Sequence, residues 1–100
     1  MTDTICISPV DNSEYARRPV AADDQVEAVF ARARVAQRDW ARLSIAGRAH
    51  HCSALVDAML AMREEIVPEL AWQMGRPVAF GAGELRGLEE RARAMIDLAG

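Results

Sequence analysis

From residue 23 onward the apolar positions recur three and four apart. Val26, Val29, Phe30, Ala33, Ala36 and Trp40 form one stripe, with Glu27, Arg32, Arg34 and Arg38 on the other sides. That is the period of an amphipathic helix, and it predicts a first helix running to about Leu43. Asp24-Gln25-Val26-Glu27 has capping-box spacing, with Asp in place of the usual Ser or Thr. Ser44 is the natural N-cap of a second helix. Its stripe is Cys52, Leu55, Val56, Met59, Ile66, Leu70 and Met74, closed by Gly75 and Pro77 as stop signals. Pro68 interrupts this helix, because it lacks a backbone donor and disfavours helical geometry at Val67, so a kink or a break into two pieces is expected. A third helix is predicted from Gly83 or Glu84, with Leu85, Leu88, Ala92, Met95, Ile96 and Ala99 on one face.

Before residue 23 the pattern is different. Ile5, Ile7 and Val10 lie on one side of Asp11-Asn12-Ser13, and Tyr15, Arg17 and Pro19 on the other. Asp, Asn and Ser bond their own backbone in turns, and Asn12 tolerates a left-handed conformation, so residues 5–20 predict a hairpin. Pro9 and Pro19 confine it to edge or marginal strands. The expected fold class is therefore α+β and mostly α: an N-terminal β-hairpin followed by three amphipathic helices, in a single partial domain spanning 1–100. The last stripe is still running at Gly100, which reads as a cut inside a helix.

Composition narrows the class further. Of the 100 residues 51% are hydrophobic, but 19 are alanine, which brings little area to burial, so only a modest core is expected. The net charge of −3 and the hydrophobic content do not mark disorder. No apolar run is long enough to span a bilayer, and Asp3 with no basic residues near the start argues against a signal peptide. Cys6 and Cys52 are isolated thiols, suited to a reducing cytoplasm. All 12 basic residues are arginine, which excludes Schiff-base lysine chemistry.

Four clusters are candidates for chemistry. Gly81-Ala82-Gly83-Glu84-Leu85-Arg86-Gly87 has the glycine spacing of a dinucleotide-binding turn, which needs a strand feeding a helix so that backbone N–H groups reach a pyrophosphate. Only Val78-Ala79-Phe80 precedes it, so a flexible helix start is the plainer reading. His50-His51-Cys52 offers metal ligands, but on a helix these side chains diverge, and Cys52 belongs to the apolar stripe. Arg32, Arg34, Arg38, Arg42 and Arg48 could track phosphates. Their scatter around the helix favours a solvated face with local salt bridges, for instance from Glu27 to Arg34. Glu64-Glu65 and Glu89-Glu90 are adjacent carboxylates pointing apart, surface charges and not an acid/base pair. Trp40 and Trp72 are expected to anchor helix against helix, or helix against something this chain does not encode.

Taken in order, these pieces resemble a known family. Ile7-Ser8-Pro9-Val10-Asp11-Asn12-Ser13-Glu14-Tyr15-Ala16 resembles the opening hairpin of the aldehyde dehydrogenase superfamily. Val26-Glu27-Ala28-Val29 through Ala36-Gln37-Arg38-Asp39-Trp40 resembles its first helix, and Leu43-Ser44 with Arg48-Ala49 the start of its second. Trp72-Gln73-Met74-Gly75-Arg76-Pro77 resembles the Gly-Arg-Pro corner closing that helix, with Glu84 in the next. The resemblance covers residues 5–100. Three positions depart from it: Gly47 replaces the Glu of a capping box, Pro68 replaces a helical residue, and Ala22 replaces a Ser or Thr N-cap, so that Asp23 or Asp24 must substitute.

The resemblance implies NAD- or NADP-dependent oxidation of an aldehyde to a carboxylic acid in the intact family, through a cysteine nucleophile that lies far downstream of these motifs. Neither Cys6 nor Cys52 matches it. No catalytic, cofactor-binding or metal residue carries over, and no cofactor is expected on this chain. It implies the outer hairpin and helices of the coenzyme-binding domain, an N-terminal fragment that is inactive alone. Its expected partners are the remainder of such a chain or a homo-oligomer, with no nucleic acid and no membrane, in the cytoplasm. This fragment reading predicts an exposed apolar patch of several hundred square ångströms. The alternative is a stand-alone helical interaction module without catalysis, folded by itself with its Leu85–Ala99 face docked and binding a partner through its exposed stripes.

Overall fold

A computed structural model describes residues 2–100; Met1, the first residue of the expected 1–100 unit, lies outside the described residues. The order is β1 (Asp3–Ile7), β2 (Glu14–Pro19), α1 (Asp23–Arg42), α2 (Ile45–Ala61), α3 (Arg63–Met74) and α4 (Val78–Leu98). The class is α+β and mostly α, with four helices where three were expected.

The hairpin forms as the turn residues dictate. β1 and β2 are antiparallel, pairing Asp3 with Pro19 through Cys6 with Ala16, after which the register slips so that Ile7 faces Glu14. Tyr15 is the extra residue of that bulge, and bulges re-aim the side chain they carry. Asn12 has φ 62°, the left-handed conformation expected of it. Ser13 donates its backbone N–H and its hydroxyl to Asp11 Oδ1, at 3.0 and 2.6 Å.

The N-cap of α1 is Ala22 itself, and neither Asp23 nor Asp24 substitutes for it. Gln25 Oε1 accepts from the Ala22 N–H at 2.9 Å, half of a capping box, and Asp24 Oδ1 accepts from the Gln25 N–H at 2.9 Å. Asp23 and Asp24 occupy the first turn, where the helix dipole favours negative charge. Ser44 caps α2 as expected, its Oγ accepting from the Gly47 N–H at 3.0 Å.

The expected second helix divides at Met62, whose φ of −88° and ψ of 11° end α2 and start α3. Pro68 stays inside α3. A proline ring presses on the turn that precedes it, so the chain breaks upstream of the ring, and Ile66, Leu70 and Met74 leave the stripe of α2.

α4 starts at Val78, five residues before the expected Gly83, with Pro77 at its N-cap holding φ −56°. Gly81 and Gly83 are therefore helical residues and not a flexible start. Each glycine in a helix interior costs about 1 kcal/mol against alanine. At Gly81 close packing offsets this cost: a Cβ there would stand 2.6 Å from Val67 Cγ1 of α3.

α4 lies across both α2 and α3, and this three-helix junction holds the core. That core is small. Among the described residues, Val56 and Leu85 are its buried apolar side chains. The radius of gyration is 17.6 Å, well above the ~13 Å of a compact 100-residue domain. The molecule measures 48 × 39 × 18 Å, a slab and not a globule. α1 buries none of its residues.

Candidate functional site

Two features stand out, a joint that fixes the hairpin on α3 and an open groove between α2 and α4. The joint is built around Ser8, which is fully buried. Its Oγ donates to the Trp72 carbonyl at 2.6 Å and accepts from the Val10 N–H at 3.2 Å. The Trp72 carbonyl belongs to the last turn of α3, where backbone acceptors have no partner within the helix. Gly75 ends that helix with φ 74°, and a Cβ at Gly75 would meet Pro9 Cγ at 3.1 Å. The bulged Tyr15 lies parallel to Trp72, ring centroids 6.4 Å apart and planes 6° from coplanar. Desolvation raises the Tyr15 phenol above its ordinary value, and the neighbouring Glu69 carboxylate adds to the shift. Glu69 also accepts from the Gln73 side-chain amide, and Cys6 Sγ lies 3.7 Å from the Gln73 carbonyl oxygen. Trp72 thus anchors a hairpin, where helix-to-helix anchoring was expected.

The groove is apolar. Cys52, Leu55 and Met59 line it from α2, and Leu88, Met95 and Ile96 from α4. Arg93 ties the same two helices together, reaching Asp57 of α2 at 2.7 Å and Glu89 of its own helix at 3.1 Å. Those two carboxylates hold the Arg93 guanidinium above its ordinary range, Asp57 most strongly. Both partners of the Asp57 bridge are exposed, so it orients the helices and stabilises them little.

The other candidate residues stay apart. Gly81, Gly83 and Gly87 sit within α4, so no strand delivers a phosphate-binding turn, and the two strands present are an antiparallel hairpin. These residues do not fit a nicotinamide dinucleotide. His50, His51 and Cys52 are successive residues of α2: His51 tilts against Trp40 at 5.8 Å, His50 packs edge-on to His51, and Cys52 faces the groove. Among the described residues no group of three His, Cys, Asp or Glu side chains could hold a metal ion. Of the arginines of α1, Arg42 pairs with Asp39 at 3.3 Å, and the expected bridge from Glu27 to Arg34 does not form. Glu64 and Glu65 lie in the exposed first turn of α3. No helix among the described residues is long and apolar enough to cross a membrane.

Sequence reasoning missed Ser8, Glu69, the Asp57–Arg93 bridge and the Gly81–Val67 contact. Only Ser8, next to Pro9 in the turn, carried a local signal; the others depend on how helices cross. The Gly75-Arg76-Pro77 corner is tied to Glu84, 3.1 Å from the Arg76 guanidinium.

Residues 2–100 match the sequence pattern of the Aldehyde dehydrogenase family. The chain belongs to the aldehyde dehydrogenase family. No match appears among curated proteins or among solved structures. In this aldehyde dehydrogenase segment the hairpin opens the described chain, Ser44 caps α2 and the Gly-Arg-Pro corner closes α3.

Proposed function

We propose that this chain is a structural part of an NAD(P)-dependent aldehyde dehydrogenase, a single partial domain forming the outer hairpin and helices of its coenzyme-binding domain. On this reading it is inactive alone and works by covering a larger sheet. The observation that carries the reading is the exposure of its helix stripes. Phe30 is 58% exposed, Leu55 62% and Met95 67%, so three helices present apolar faces to water. Patches of that kind mark surfaces meant for burial.

The chemistry agrees. Aldehyde oxidation through a thiol needs an activated thiolate, a base and oxyanion donors within reach of one carbon. Cys6 lies beside a backbone carbonyl and Cys52 in a mainly apolar groove that Arg48 also lines, and no general base or pair of oxyanion donors is described beside either thiol.

The test is direct. The purified chain, with NAD or NADP and a panel of aldehydes, gives no reduced nicotinamide signal at 340 nm; sustained turnover overturns the reading. The same sample is expected to bind a hydrophobic dye such as ANS at its open faces. A dye-silent, monodisperse, cooperatively unfolding chain supports the interaction module instead.

A further inference from the structure

All the sulfur of the described residues lies on two of the surfaces that the fold leaves open. Met59, Met95 and Cys52 line the α2–α4 groove, and Met62, Met74 and Cys6 line a second hollow between β1 and α3. Met95 is 67% exposed, Met74 63% and Met62 46%, whereas Met59 is half-buried. α1 presents an apolar seam to water as well, but carries no sulfur.

A methionine thioether is apolar and pliable, and it turns into a dipolar sulfoxide by gaining one oxygen atom. We propose that Met95 and Met74 are oxidation sites, one on each surface, at which hydrogen peroxide stops these faces from being buried against the rest of the domain. The inference rests on the proposed function, since it regulates the same covering step. In the reaction a sulfur lone pair attacks one peroxide oxygen, and the S–O bond forms as the O–O bond breaks. The hydroxide that leaves takes the proton of the transferred oxygen and becomes water. Sulfur gives up two electrons, and the peroxide gains them. The sulfoxide oxygen is an acceptor that burial strands unless a donor meets it. Donors are scarce on both surfaces. Arg48 is the one charged residue lining the groove. In the hollow the carboxylates of Glu65 and Glu69 only accept, and the Gln73 amide is already bonded to Glu69. Oxidation therefore holds both faces in water, and a methionine sulfoxide reductase restores them. Leucine would supply similar apolar volume without this response.

Dilute hydrogen peroxide added to the full 100-residue chain tests it, read by peptide mass mapping and by ANS fluorescence. Met95 and Met74 are expected to gain oxygen several-fold faster than Met59. ANS emission is expected to fall as they do, down to the share held by α1, while far-UV circular dichroism stays constant. M74L/M95L is expected to keep its dye signal under the same peroxide, which separates the methionines from Cys6 and Cys52. M74Q/M95Q, polar without any oxidant, is expected to show the reduced signal from the start. Oxidation of Met59 as fast as of Met95, dye binding unchanged by sulfoxide at both sites, or an equal loss in M74L/M95L overturns the inference and leaves the proposed function standing. An untreated chain that binds no ANS overturns both together.

Discussion

The Ser8 hydroxyl donates to the Trp72 carbonyl across 2.6 Å, joining two residues 64 positions apart in the chain. With the Tyr15–Trp72 stack and the Pro9–Gly75 contact, this bond turns a two-stranded hairpin, marginal by itself, into a docked element. A buried serine in a turn satisfies an acceptor in the last turn of a helix.

Ser8→Ala is therefore expected to destabilise the chain by about 1–2 kcal/mol, because it leaves the Trp72 carbonyl without its donor. Urea unfolding followed by tryptophan fluorescence measures this. An unchanged midpoint would show that the hairpin contributes nothing to the helical unit.

Two glycines of α4 are expected to respond in opposite ways. Gly81→Ala gains helix propensity but drives a methyl group to within 2.6 Å of Val67 Cγ1, so net destabilisation of about 1–3 kcal/mol is expected. At Gly83 the nearest atom to an added Cβ is the flexible Arg86 guanidinium, at 3.6 Å. Gly83→Ala is expected to stabilise by about 0.5–1 kcal/mol. Thermal melts of the pair separate packing from propensity.

The hairpin carries opposite pH responses at Tyr15 and Asp11. Tyr15 titrates above its ordinary 10.0 in the folded chain, from desolvation first and Glu69 second. The folded form then holds a proton that the unfolded form has released, so this stabilisation is complete below pH 10 and is lost as pH rises through the folded value. Tyr15→Phe is expected to abolish that alkaline loss. Asp11 titrates below its ordinary 3.8, because the Ser13 hydroxyl and backbone N–H donate to its carboxylate. Its contribution is present above 3.8 and is lost as acid carries the pH down through the folded value. NMR shifts of the Ser13 amide follow this loss, and Asp11→Asn is expected to flatten it.

Ser44→Ala removes the acceptor for the Gly47 N–H and is expected to cost about 1 kcal/mol. Amide hydrogen exchange should quicken in the first turn of α2 and leave α3 unchanged. Uniform quickening would mean that α2 and α3 unfold as one unit despite the Met62 break.

The hairpin, the Asn12 turn, the Ser44 cap and the end of the second helical stretch at Gly75 were all legible in the sequence, because each depends on neighbours a few residues away. The helix count was less legible. Pro68 announced a break without fixing its place, which is Met62. The start of α4 was misplaced because Gly81 and Gly83 read locally as helix breakers, whereas Val67 of α3 leaves no room for a side chain at position 81.

By itself, then, the sequence determined the family of the chain, its class of elements and their apolar faces, because periodicity, caps and turn residues act over one or two turns of backbone. Only the tertiary structure decided which faces meet. α4 covers part of α2 and α3, the hairpin settles on Trp72, and α1 keeps its seam in water. The physical reason is area. A chain rich in alanine, with Val56 and Leu85 as its buried apolar core, cannot bury every stripe that its sequence encodes.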